Sequence, residues 1–230
     1  NVRKALNLAI DKNEIATIVL GDQVVPATGI LPPGFPGFNP SISGYEFDPE
    51  KAKQLLLESK YGDNLDDMPP ITITTPGSFG ANVSLDMEVI LAMWEKNLGI
   101  KTEFQQTEFA TFLKDLNKRR FQMFDIGWIA DYPDPENFLD ILFYSDSSNN
   151  HTNYSSTKVD SLLEQARTES DETLRFSIYS EVEQTILDDA PWIPLWYSGE
   201  RYLLVKPNVR DYLQTPLIIP KLRHVYLTDK

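Results

Sequence analysis

The stretch "GWIADYPDPENF", residues 127–138, concentrates the groups in this sequence that could do chemistry. An apolar run ending in Gly127, Trp128, Ile129 and Ala130 breaks into three acids, Asp131, Asp134 and Glu136, separated by Pro133 and Pro135. Such acids could work as a catalytic pair, bind a metal, hold a cationic ligand, or cap a helix. A carboxylate pair for glycoside hydrolysis needs two acids roughly 5 to 10 Å apart, which Asp131 and Asp134 could provide. Calcium needs a chain that wraps around it, and the two prolines prevent that. Transition metals need imidazole or thiolate, and the chain has only His151 and His224 and no cysteine, so no metal site is expected. Asp134-Pro135-Glu136 repeats the pattern of Asp48-Pro49-Glu50, in each case a capping acid followed by a proline in the first helical turn. Asp134 therefore reads as structural, and the pair dissolves. Asp131 is left alone, either as a partner for a protonated amine or as a turn-forming aspartate, and its spacing allows both.

Other chemistries find less support. "PGSFG", residues 76–80, lacks the first glycine of a nucleophile elbow, and no triad pattern follows it. The glycines at 29, 34, 37 and 44 alternate with prolines, which remove the N–H groups that a phosphate cradle uses. No catalytic residue and no cofactor are expected. A net charge of −13 and a pI near 4.6 exclude a nucleic-acid partner, whose phosphates demand a basic face. With 230 residues, 41% of them hydrophobic, the chain can bury a real core, and no run is long and apolar enough to span a membrane.

The elements that must position Asp131 follow from periodicity. Val2, Ala5, Leu6, Ala9 and Ile10 fall at helical spacing from the first residues, the pattern expected of a piece of a longer protein. A Pro/Gly-rich stretch, residues 26–47, must be an ordered surface loop, and a helix starts at Asp48-Pro49. Residues 71–75 predict a strand, 79–98 a helix stopped by Gly99, 100–105 a strand, 108–118 a helix, and 123–128 a third strand. That alternation predicts an α/β fold with a parallel βαβαβ sheet, and Asp131 then lies just past the carboxyl end of a parallel strand, where ligands bind in such sheets. Further helices are expected over 134–143, around Val159–Ala166 and from Leu174 to Ile186. "WIPLWYSG" and "RYLLV" predict two strands paired around Ser198-Gly199. Trp192 reads as a core residue.

Six segments, in order, resemble one family. "VRKALNLAIDKNEI", "PATGILPPG", "FDPEKAKQLLLE", "FDIGWIADYPDPENFLD", "NYSSTKVDSLLEQA" and "DDAPWIPLWY" are similar to the family 5 extracytoplasmic solute-binding proteins, the oligopeptide- and dipeptide-binding components of ABC importers. The match is to their C-terminal, ligand-binding lobe, so the resemblance implies a periplasmic-binding-protein-like lobe over 1–230 whose N-terminal lobe lies elsewhere. It also implies that the segment 216–230 returns towards that other lobe. It further implies a non-enzymatic protein in the periplasm or lipid-anchored at the cell surface, with a peptide ligand and an ABC permease as partners. In the oligopeptide binders the acid of the "GW-x-AD" segment pairs with the α-ammonium of the peptide, a role that falls on Asp131. The stretch before it, Gly127, Trp128, Ile129 and Ala130, would then meet the ligand backbone in β fashion. Some peptide binders carry a basic residue two positions before that glycine. Here the position is Asp125, which cannot pair with a ligand carboxylate.

Overall fold

A computed structural model of the chain describes residues 1–62, 64–77, 83–199, 204–212 and 222–228. Helix α1 (Val2–Leu8) is followed by a short helical turn, α2 (Lys12–Glu14), which widens into a π-helical turn over Ile15–Val19. Strand β1 (Val24–Pro26) leads into the Pro/Gly loop, and α3 (Pro49–Leu57) starts where Asp48 accepts a hydrogen bond from the Lys51 N–H.

The centre of the molecule is the expected parallel sheet, ordered β3-β2-β4, with β2 at Ile71–Pro76, β3 at Thr102–Thr107 and β4 at Met123–Phe124. Helix α4 (Leu85–Leu98) links β2 to β3, and α5 (Phe109–Asn117) links β3 to β4. The stripe Met87, Ile90, Trp94 and Leu98 is buried as its spacing requires, and Gly99 ends α4 in the left-handed conformation, φ 67°. The expected helix start at residue 79 lies outside the described residues, and Val83 and Ser84 precede the helix rather than belonging to it. Trp94 donates its indole N–H to the Leu6 carbonyl and Asn97 its amide to that of Ala9, which satisfies carbonyls left open at the end of α1.

Strand β4 is much shorter than the six residues expected from 123–128. Its ladder runs Ile73↔Met123 and Thr74↔Phe124, and the Asp125 N–H still reaches the Thr74 carbonyl at 3.2 Å. In a parallel ladder the next bond would come from the N–H of residue 76, and Pro76 has none. Pairing stops there. Among the described residues, Ile126 to Ala130 have no backbone hydrogen-bond partner on the main chain.

A second core packs beside the sheet half. It is formed by α6 (Glu136–Phe143), α7 (Thr157–Thr168) and α8 (Glu172–Asp189), joined by Ile30, Leu31 and Ile42 of the Pro/Gly loop. That loop is ordered by contacts rather than by regular structure. The buried Glu183 carboxylate accepts the N–H groups of Ile30 (2.6 Å) and Leu31 (2.9 Å), and the Tyr197 hydroxyl bonds to the Gly29 backbone. A Cβ at Gly29 would lie 2.5 Å from Glu183 Oε1, so any larger residue there would displace this carboxylate from the loop amides. Lys12, buried, ties this loop to the first half by donating to the carbonyls of Ala27 and Pro194, and burial lowers its pKa to about 8. Trp192 packs its ring 4.7 Å from that of Phe143, at the edge of the second core rather than fully within it.

Near the C-terminus the first arm of the expected hairpin forms a strand, and residues 201–203 of its second arm, 201–205, lie outside the described residues. Strand β5 (Trp196–Ser198) pairs antiparallel with β1, Val25 opposite Tyr197, and the Gly199 N–H reaches the Gln23 carbonyl. Strands β6 (Val209–Arg210) and β7 (Tyr226–Leu227) form a small antiparallel pair. Of the segment expected to return towards another lobe, residues 216–221, 229 and 230 lie outside the described residues.

Candidate functional site

Residues 125–131 leave the sheet with Asp125, Ile126 and Gly127 all exposed, and burial alternates from Gly127 to Asp131. Trp128 and Ala130 face inward and join the second core, Ala130 being buried. Asp125, Gly127, Ile129 and Asp131 are exposed, with Ile129 showing 43% of its surface. A Cβ added to Gly127 would meet nothing within 4 Å, so neither crowding nor backbone conformation requires glycine here. The space in front of it is open. The five residues singled out from the sequence, Gly127 to Asp131, form one continuous rim, and those from Gly127 to Ala130 have no main-chain hydrogen-bond partner among the described residues.

One amide fastens this rim. Asn137, on the first turn of α6 and fully buried, accepts the Trp128 indole N–H with both its backbone oxygen (3.0 Å) and its Oδ1 (3.1 Å). The same Oδ1 accepts the backbone N–H of Asp131 at 3.3 Å. The Asn137 Nδ2 is buried without a partner, a cost of roughly 1 to 3 kcal/mol for an unsatisfied donor. Nothing in the sequence marked this residue, because an asparagine inside "DPENF" reads as one more polar position on a helix start.

Asp134, three residues further on, is committed. Arg175 grips it with two hydrogen bonds, Nη1 to Oδ2 at 2.8 Å and Nη2 to Oδ1 at 2.7 Å, and Oδ1 also accepts the Glu136 N–H at the start of α6. Burial pushes the Asp134 pKa upward, but the Arg175 guanidinium and the Glu136 N–H outweigh it and hold the carboxyl below its usual range. This is the capping role expected from the Asp-Pro-Glu pattern, reinforced by an arginine 41 residues away that no local pattern reveals. A general acid needs a raised pKa, so Asp134 does not fit the acid of a pair with Asp131. The Pro/Gly loop braces the same turn. Gly37, at φ 76°, lies where a Cβ would be 2.6 Å from the Pro135 ring, and Phe35 meets Phe138 edge-on at 5.2 Å.

A cavity of about 790 Å³ opens beside the end of β4, walled by Met87, Trp94, Phe124, Asp125, Ile126 and Trp192 among others. It reaches the start of the rim and none of Gly127 to Asp131. Its wall surrounds the Asp125 carboxylate, and that crowding, together with the Asp86 charge, pushes the Asp125 pKa up although part of the side chain reaches solvent. Among the described residues, no ion pair involves Asp125 or Asp131, and no group of three His, Asp or Glu side chains could hold a metal ion.

The profile of the bacterial extracellular solute-binding proteins, family 5, matches residues 1–150. The chain belongs to this family. The oligopeptide-binding protein OppA of Bacillus subtilis is 28% identical over 234 residues, which is 100% of this chain and 42% of that protein. The heme-binding protein A of Haemophilus influenzae is 32% identical over 94% of the chain and 39% of that protein. Among solved structures, the murein tripeptide-binding protein MppA of Escherichia coli superposes with a TM-score of 0.85 at 28% identity, covering 100% of this chain and 45% of that one. The Helicobacter pylori DppA complex with the peptide STSA gives 0.83 at 27% identity, covering 98% and 43%. The fold is thus a periplasmic-binding-protein-like lobe, and the chain spans about two fifths of the length of the curated relatives it matches.

Proposed function

We propose that residues 1–230 form the C-terminal lobe of a two-lobed solute-binding protein, which captures a peptide outside the cytoplasm and delivers it to an ABC import permease. One observation carries this reading: an extended stretch with unpaired backbone groups, Ile126 to Ala130, ends in an exposed carboxylate, Asp131, that has no cation of its own among the described residues. A peptide laid along that stretch gains main-chain hydrogen bonds that do not depend on its side chains, and its α-ammonium meets Asp131. Gly127 leaves room for the ligand backbone, and the inward-facing Trp128 and Ala130 keep the rim rigid. Two solved relatives hold peptides, STSA in one and Met-Leu in the other, in agreement with this choice of ligand.

A second lobe closing over the rim would remove water from the ammonium–carboxylate pair and strengthen it, since Coulomb attraction grows as the local dielectric falls. The segment 216–230 returns towards that lobe in this scheme. Asp125 gives the rim a second acid, so the ligand's carboxylate must be met elsewhere, by the other lobe or by solvent. The test uses calorimetry on the two-lobed protein. Asp131→Asn should weaken binding of a free-amine peptide by about 2 to 5 kcal/mol, the cost of leaving a buried charge unpaired. N-acetylation of the peptide should do similar damage to the parent, and full affinity for the acetylated peptide would overturn the assignment.

A further inference from the structure

We infer that Asn137 is a positioning residue that gives the site its selectivity for a free amino terminus. This rests on the ammonium role proposed for Asp131 and identifies what holds that acid in place. The Asp131 side chain makes no hydrogen bond among the described residues, and the chain around it carries no ladder bonds, so its direction is set by its backbone. That backbone has one side-chain tether, the N–H to Asn137 Oδ1 at 3.3 Å. The tether is itself fixed, because Oδ1 also accepts the Trp128 indole and the Asn137 side chain is fully buried.

The orientation of the amide is not a free choice. Two N–H donors converge on one atom, so that atom must be oxygen, and a flipped amide would set donor against donor. Nδ2 is then left buried without a hydrogen bond of normal length, with the Tyr132 hydroxyl near it. An amide oxygen that takes both the Asp131 N–H and the indole of the tryptophan beneath the rim is placed to aim the Asp131 carboxylate.

Asn137→Leu separates positioning from folding, because Trp128 keeps the Asn137 backbone oxygen as a partner and only the Asp131 N–H is stranded. The measurement is the ratio of dissociation constants for an N-acetylated and a free-amine peptide on the two-lobed protein. We expect about 100-fold discrimination in the parent and less than about 10-fold in Asn137→Leu, with affinity for the acetylated peptide changed by less than about 3-fold. The Asp131 amide proton should also exchange faster with solvent in this variant. Asn137→Ala removes the same acceptor without adding bulk and should lose the discrimination in the same way, which covers the case of a Leu variant that fails to fold. Asn137→Leu with full discrimination, or with both peptides weakened equally, overturns the inference while leaving the ammonium reading intact. A parent that does not discriminate overturns both.

Discussion

On one side of the turn at Tyr132-Pro133, Asp131 keeps its carboxylate exposed; on the other, Asp134 lies in both arms of Arg175. The contrast extends along the chain in both directions. Residues 126–130 are extended and unpaired, whereas α6 is capped by Asp134, braced by Gly37 and Phe35 from the Pro/Gly loop, and tied to α7 by the Asp140–Arg167 pair. One half of the segment is tied down by the fold, and the other keeps backbone groups and a carboxylate without partners among the described residues. Two identical side chains three residues apart thus differ not in chemistry but in whether the fold supplies a cation.

The largest effect is expected on the locked side, at its buried carboxylate Glu183. Glu183→Ala removes the acceptor for two buried N–H groups, Ile30 and Leu31, and leaves a cavity beneath the Pro/Gly loop. It should cost about 3 kcal/mol in urea denaturation, and a shift under about 1 kcal/mol would mean that the loop is not held by this carboxylate. Its effect on free-amine selectivity should be small.

A smaller loss is expected from Asp134→Asn, about 1 to 2 kcal/mol at pH 7, because two charge-assisted hydrogen bonds become weaker ones in a partly exposed setting. The Asp134 pKa is depressed in the folded state, so its contribution is present above the unfolded pKa and is lost as pH falls through the folded one. Parent and variant should therefore converge in strongly acid solution, and an equal gap at pH 7 and at about pH 2 would contradict the Arg175 pairing.

The smallest effect has the opposite sign. The Asp125 pKa is raised, first by burial and then by Asp86, so its charged form is disfavoured in the folded protein. Asp125→Asn should stabilise the chain by several tenths of a kcal/mol at pH 7, with the gain fading as pH falls through the folded pKa and the parent carboxyl also becomes neutral. A loss of stability at pH 7 would show that Asp125 has a favourable partner in the folded chain.

Periodicity and caps made most of the fold legible. The α4 stripe, the Gly99 stop and the Asp48 cap are local patterns, and they hold because each needs only neighbours within one or two turns. The early end of β4 was not legible, because its cause, Pro76, sits on the partner strand 47 positions earlier than Met123. The same applies to β5, which takes β1 as its partner across more than 170 residues. At the candidate site, resemblance picked out Asp131 where spacing could not. Asn137, Arg175 and Glu183 stayed hidden because each acts on a residue distant in sequence or through a buried amide.

The break in the ladder at Pro76 carries a risk as well as an opening. An unpaired edge showing Ile126 and Ile129 is a template on which another polypeptide can continue a sheet, which is how soluble proteins begin to aggregate. This edge is flanked by Asp125 and Asp131, and both are exposed on the same face. Two copies meeting edge to edge in antiparallel fashion would set each aspartate against its counterpart, and the repulsion would push them apart. A molecule arriving with a positive terminus meets the same charges as an attraction. The acids at the two ends of the rim thus act as gatekeepers against self-association, by the same charge that the proposed function uses to attract a ligand's positive terminus.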